Sequence, residues 1–309
     1  METEKFIHIP VLLDEVLKHL LIKPNGIYVD ATVGGAGHSL EIAKKLSTGK
    51  IYALDKDPDA VFVAKERLKN KNAVVLNSDF ANIKEVLPCE LKENVDGVLM
   101  DLGVSSFQLD NKERGFSYKT TCNLDMRMSK AGKSAKDILN FETKKNIELI
   151  LKKFGEEKFA RKIAEEIVKE REKKMFETTK DLKEVISKSI PFKFKRKKNP
   201  FKKTFQALRI AVNNELFSLE KGLKAAFYFL KPKARLLVIS FHSLEDRIVK
   251  NFFKEKSLSC KCPENFPVCI CNKKKEANII TKKPITPTAE EIKNNKRSHS
   301  AKLRVLEKI

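Results

Sequence analysis

Four short β-type segments, separated by helical ones, fill the first hundred residues, and this alternation restricts the fold more than any other feature of the chain. IYVDAT is followed by SLEIAKKL, KIYALD by PDAVFVAKERLK and AVVLNSD by ANIKEVL; VDGVLMD closes the series at Asp101. Strands that alternate with helices in this way pair in parallel, because each helix carries the chain back along a face of the sheet. VLLDEVLKHLLI, ahead of the first strand, repeats apolar residues at helical spacing. After Asp101 the rhythm stops. From about Phe107 to Thr204 no strand pattern stands out, and AKDILNF, KNIELILKKF, EKFARKIAEEIVKERE and TKDLKEVISKSI are helical. Alternation then returns. FQALRIAVNNELFSLEKGLKAAFYFL predicts one long helix, ARLLVISF a fifth strand and LEDRIVKNFFKE a helix. NIITKKPI and AKLRVLEKI predict two closing strands, joined by PTAEEIKNN as an antiparallel pair. The expected architecture is α/β: a mostly parallel, seven-stranded, Rossmann-like sheet from residues 1–106 and 205–309, interrupted by a helical domain at 107–204.

The first strand ends in Asp30 and opens into a loop with Gly34, Gly35 and Gly37, which His38 and Ser39 turn into a helix. Glycine suits such a loop because it takes positive φ at little cost and lets a ligand approach the backbone. The helix start favours a negatively charged group. Asp55 ends the second strand eighteen residues after Gly37, the distance at which an acid commonly binds ribose hydroxyls. This grammar fits a dinucleotide oxidoreductase and a class I S-adenosylmethionine methyltransferase equally well. Three features tilt toward the methyltransferase. Asp79 and Phe80 follow the third strand, where a polar group and a ring could hold an adenine. Asp101 falls at the carboxyl edge of the fourth strand. The closing strand pair is antiparallel. Asp79 has a plainer reading as the cap of the helix ANIKEVL.

The chain carries 63 basic and 41 acidic residues, a net charge of +22. Such an excess favours a polyanionic partner, although a lysine-rich proteome would also raise it. Its distribution is uneven: between Glu184 and Glu215 there are nine basic residues and no acid, and seven of the nine lie in KFKRKKNPFKK with Phe194 and Phe201 interleaved. That run reads either as a solvated loop or as an RNA contact. No apolar run is long enough to span a membrane, and the N-terminus lacks the order of a signal peptide, so the expected location is the cytoplasm. Four of the six cysteines, Cys260, Cys262, Cys269 and Cys271, form CKCPENFPVCIC. In a reducing compartment two close thiol pairs predict either a structural zinc site or unligated thiols. Cys89 and Cys122 have no partner in the sequence.

HIPVLLDEVL, DATVGGAGHS, ALDKDPDA, DLGVSSFQLD, RGFSY, LDMRM, TFQALRIAVNNEL, ISFHSLEDRIVK and ITPTAEEIKNNKRSHSAKLR together resemble the bacterial family that methylates the exocyclic N4 of a cytosine in 16S rRNA of the small ribosomal subunit. The likeness runs from residue 8 to 304. It departs from the family in the tail, where NNKRSHS lacks a proline and His299 replaces a small or basic residue. The resemblance implies that Ala36, Gly37 and His38 line the methionine end of S-adenosylmethionine, with a ring N–H of His38 reaching its carboxylate. It implies Asp55 on the ribose, Phe80 on the adenine, and Asp101 and Gln108 completing the site. It also implies 16S rRNA, within the 30S subunit, as the partner.

A cytosine amine is a poor nucleophile, so an acceptor that orients it is needed; Asp101 is the candidate catalytic residue. His242 and Arg247 in SFHSLEDR are candidate substrate contacts, with Ser243 expected as a helix cap three residues before Asp246. Asn213 and Asn214 are further candidates, or simply helix-surface residues. An oxidoreductase, an RNA-binding protein with a decayed cofactor site, and a methyltransferase acting on DNA or protein are the competing functions.

Overall fold

The computed structural model describes residues 10–195, 199–260, 262 and 270–309. Along the chain run α1 (Leu13–Leu20), β1 (Ile27–Asp30), α2 (Gly37–Lys44), β2 (Lys50–Asp55), α3 (Pro58–Arg67), β3 (Ala73–Asn77), α4 (Ile83–Val86) and β4 (Val95–Asp101). Helices follow: α5 (Ser106–Asp110), α6 (Ala135–Phe141), α7 (Lys144–Gly155), α8 (Ala160–Arg171), α9 (Thr179–Ser189), α10 (Phe192–Lys195) and α11 (Lys202–Asn213). The chain closes with α12 (Glu215–Phe229), β5 (Leu230–Ser240), α13 (Ser243–Ser257), β6 (Ala277–Ile279), α14 (Ala289–Asn294) and β7 (Lys302–Lys308).

The seven strands form one sheet in the order β3-β2-β1-β4-β5-β7-β6. The first five are parallel, and β7 runs antiparallel to both β5 and β6. Alternate strand residues serve opposite faces. Val98, Met100, Leu236 and Val238 pack with Leu219, Leu223, Val249 and Phe252 of α12 and α13. Leu99, Leu237 and Ile239 pack with Val16, Leu20, Ile42 and Ala64 of α1, α2 and α3. Helices on both faces explain why these strands read as continuous apolar runs.

Two compact units result: residues up to Gly103 with Leu216–Ile309, and Val104–Glu215. The second is helical and holds its own core of Ile147, Leu151, Ile163, Ile167, Leu182 and Ile186. It extends past Thr204 because Phe205, Ala207 and Leu208 of α11 belong to that core. The long helix expected from FQALRIAVNNEL onward is two helices. Asn214 takes a left-handed conformation (φ 50) and ends α11, a conformation asparagine tolerates better than most residues. Among the described residues no helix is long and apolar enough to cross a membrane.

Candidate active site

Because β1, β2, β3 and β4 are parallel, their carboxyl ends share one edge of the sheet. The loop leaves that edge at Asp30, a buried acid with both oxygens engaged. Oδ1 accepts from Thr32 N–H at 3.1 Å and Oδ2 from the Ser39 hydroxyl at 2.6 Å. Burial pushes its pKa up to about 6 against these bonds. Left-handed backbone occurs at Gly34 (φ 47) and Ala36 (φ 60). Only one of the three glycines therefore uses its conformational freedom, and Ala36 holds a geometry that costs about 1–2 kcal/mol with a Cβ. Gly37 is required for space, since a Cβ there would stand 2.5 Å from the Pro10 ring.

The loop docks on the second strand through Asp55. Gly34 N–H donates to its Oδ2 and Asp57 N–H to its Oδ1, both at 2.9 Å. Burial raises Asp55 to about 6, with the hydrogen bonds from Asp57 and Gly34 working the other way. Each carboxylate oxygen keeps a lone pair beyond these bonds.

His38 is buried, and burial lowers its pKa to about 4 although the Val11 carbonyl favours the charged ring. It is neutral at pH 7. A carbonyl can only accept, so the nitrogen facing it, Nε2 at 3.0 Å from Val11 O, carries the proton. Nδ1 is then a bare lone pair, 3.8 Å from Asp101 Oδ2. This corrects the expectation that a ring N–H serves a ligand carboxylate: that N–H is spent inside the protein. At the start of α2 the backbone N–H groups of Gly37 and His38 have no intrahelical acceptor, and these are the donors left for an anion.

Asp101 ends β4. Its N–H donates to Thr32 Oγ1 at 2.6 Å. Its carboxyl is otherwise unlike Asp30 and Asp55, because Oδ1 is buried and accepts no hydrogen bond among the described residues. Burial drives its pKa well above the usual carboxylate range, and the negative charges of Asp30 and Glu245 push it further.

Asp79 caps the 3₁₀ turn Phe80–Asn82 by accepting from Ala81 N–H at 2.8 Å, and it also takes the Ser218 hydroxyl and the Lys56 ammonium. The Phe80 ring is half-buried against α12, where a Cβ on Gly222 would stand 2.5 Å from it. Ala36, Gly37, His38, Asp55, Phe80 and Asp101 thus gather at one sheet edge. Gln108 lies in the second unit, buried, where it exchanges hydrogen bonds with Ser105 in the capping box of α5.

Several side chains have tasks the sequence did not suggest. The cap of α13 is His242, paired with Glu245, and not Ser243 with Asp246. Its Nδ1 accepts from Glu245 N–H at 3.4 Å, and Nε2 lies 3.1 Å from Glu245 Oε1. Asp246 instead holds Arg304 of β7, Oδ1 to Nε at 2.6 Å. Arg247 is exposed. Asn213 is half-buried and engaged: its amide accepts from Met128 N–H at 2.8 Å and donates to Met126 O at 2.7 Å. Buried Arg114 donates to the carbonyls of Arg127 and Met128. RGFSY and LDMRM are therefore one hydrogen-bonded knot within the second unit. Thr32 and Ser39, which hold Asp101 and Asp30, were also missed; the pattern D-x-T, an acid that accepts from a backbone N–H two residues on, was the available signal.

The reversed strand separates the two cofactor classes left open by the loop. The dinucleotide-binding sheet is mostly parallel and runs in the order 3-2-1-4-5-6, whereas here a seventh strand, β7, enters antiparallel between β5 and β6. The fold is that of a class I, S-adenosylmethionine-dependent methyltransferase. Residues 5–309 match the model of the MraW methylase family, and the chain belongs to that family. It is 54% identical over 305 residues to the ribosomal RNA small subunit methyltransferase H of Caldicellulosiruptor saccharolyticus, covering 98% of this chain and 99% of that one. The proteins of the same name from Carboxydothermus hydrogenoformans (50% identical, 99% of each chain covered) and Finegoldia magna (48%, 99% of each) are similar at full length.

Proposed function

We propose that this chain methylates the exocyclic N4 of a cytosine in 16S rRNA, in the cytoplasm and on the 30S subunit, with Asp101 as the group that touches the reacting amine. The observation that carries this reading is the buried Oδ1 of Asp101 at the carboxyl edge of β4, which accepts no hydrogen bond among the described residues. A carboxyl surrounded by negative charge and held well above its usual pKa is poised for a cation. A positive charge within a few ångström brings such a group back toward its ionised form, and the sulfonium of S-adenosylmethionine is a cation. The residues at hand fit that donor. Asp55 has lone pairs free for ribose hydroxyls, and Phe80 offers a half-buried ring for the adenine. The N–H groups of Gly37 and His38 suit the methionine carboxylate.

S-adenosylmethionine, when bound, supplies an electrophilic methyl carbon on sulfur. Asp101 accepts a hydrogen bond from the cytosine amine and so turns the nitrogen lone pair toward that carbon. As the N–C bond forms and the C–S bond breaks, the electron pair goes to sulfur. Positive charge grows on N4, and the carboxylate stabilises it and takes the departing proton. Holding the reactants in line supplies several kcal/mol by itself. Four thiolates at the cysteine cluster would close the shell of a metal and leave no open position for a substrate, which would make such a metal structural.

The basic segment before α11 suits an RNA partner. Phe192 and Phe194 are exposed on α10, with Lys193 Nζ 5.4 Å from the Phe194 ring. Residues 196–198 of that segment lie outside the described residues. The test is incubation of 30S subunits from a strain lacking this activity with methyl-labelled S-adenosylmethionine, followed by mapping of the labelled base. Label at N4 of one cytosine in 16S rRNA is expected. Label on protein, on DNA or at a ring carbon would refute the reading.

A further inference from the structure

We propose that Cys260, Cys262 and Cys271 are thiolate ligands of a structural zinc ion that ties the end of α13 to the start of β6. The three sulfurs lie within 4.8 Å of one another, and Cys260 Sγ stands 3.7 Å from Cys271 Sγ. Tetrahedral zinc with Zn–S of about 2.3 Å sets its sulfurs roughly 3.8 Å apart, whereas a disulfide needs about 2.05 Å. The separation matches an edge of a metal tetrahedron and is too long for a covalent bond.

The surroundings favour thiolates. Cys262 N–H lies 3.3 Å from Cys260 Sγ, a donor aimed at the sulfur, and a hydrogen bond of that kind stabilises the charged form. Each thiol gives up its proton to solvent as the metal binds.

Between Ser257 and Ala277 every described residue is exposed or only half-buried, so the described residues of this connection form no apolar core. Its two ends are already joined: Glu276 N–H donates to Lys256 O at 3.0 Å, and Lys256 and Lys273 both pair with Glu276. A thiolate-bound ion would close the loop that these contacts begin. A thiolate-rich set selects zinc or iron over harder metals, and zinc is the choice that involves no redox chemistry. Cys269 lies outside the described residues, and the fourth ligand is left unassigned.

The experiment uses the untagged full chain, purified without chelator under reducing conditions, with zinc measured by elemental analysis. About one zinc per chain is expected, released when an organomercurial titrates the thiols. Cys260→Ser and Cys271→Ser should each drop the content below about a tenth, while Cys89→Ser keeps the full complement. The wild-type measurement stands even if a variant fails to fold. Cobalt(II) put in place of zinc should give the thiolate charge-transfer bands and strong visible absorption of a tetrahedral site. Wild-type protein that holds no zinc after incubation with the ion and desalting would overturn the proposal. So would a weak octahedral cobalt spectrum, or iron in place of zinc.

Discussion

Strand β4 carries an aspartate at each end, and the two are opposites. Asp96, at its start, sits between lysines: Lys231 contacts Oδ1, Lys23 lies 3.5 Å away, and Ile27 N–H donates to Oδ2 at 3.0 Å. Burial opposes its charge, but Lys231, the Ile27 bond and Lys23 outweigh burial and hold the carboxyl below its usual range. Asp101, five residues on, meets burial with negative neighbours and a neutral histidine, and rises instead. Both are acids at the ends of one buried strand. One has its counter-charge built into the fold, and the other has none among the described residues. A protein that only needed a closed sheet would treat both ends like the first, so the imbalance marks the edge where a ligand is expected.

The comparison can be broken most directly at Asp101. Asp101→Asn keeps the shape and removes the negative charge and the base that takes the proton, and methyl transfer to 30S subunits should fall about 10²–10⁴-fold. Thermal stability should hold or rise, because a buried acid without a partner is gone. Activity within tenfold of wild type would sink the assignment. Next in size is the pH response of cofactor binding. The role proposed for Asp55 is to bind ribose hydroxyls as a carboxylate, yet burial raises its pKa in the free protein to about 6. Below pH 6 binding must expel a proton, so the dissociation constant for S-adenosylmethionine should climb by up to tenfold per pH unit between pH 6 and 5. A flat profile in calorimetry would remove Asp55 from the site.

At the other end of the strand, Asp96→Ala should cost about 1–3 kcal/mol in denaturant unfolding, chiefly through the orphaned Ile27 N–H, with methyl transfer per folded molecule unchanged. The depressed pKa of Asp96 gives a stabilisation present above pH 4 and lost as acid protonates it. The smallest effect is expected for Ser39→Ala. It removes the 2.6 Å bond to Asp30 and should lower stability by about 1 kcal/mol. A loss of activity without loss of stability there would show that Asp30 acts on more than the fold.

The strands were legible because helices cover both faces and leave near-continuous apolar runs such as ARLLVISF. The positions that gather at the sheet edge were legible because a parallel sheet sends every loop of that type to the same side. What stayed hidden was local geometry set by contacts far along the chain. The apolar rhythm runs straight through Asn213 and Asn214, so neither the break in the helix nor the clamp on Met126 and Met128 leaves a periodic trace. Three glycines suggested three permissive backbone positions, but the second left-handed residue is Ala36. The proton on His38 depends on Val11, twenty-seven residues upstream. The cap of α13 shifted by one residue because a histidine nitrogen can do the work of a serine hydroxyl.

Insertion of β7 between β5 and β6 sets an order of events during synthesis. Strand β5 is complete at Ser240, but its antiparallel neighbour begins only at Lys302. At roughly 5–20 residues per second, the ribosome takes about 3–12 seconds to make the intervening segment. Over that interval the β5 edge presents unpaired backbone groups that another chain could claim, and the buried positions awaiting Leu303, Val305 and Leu306 are unfilled. A nascent chain of this topology is therefore most exposed to aggregation after most of it has been made.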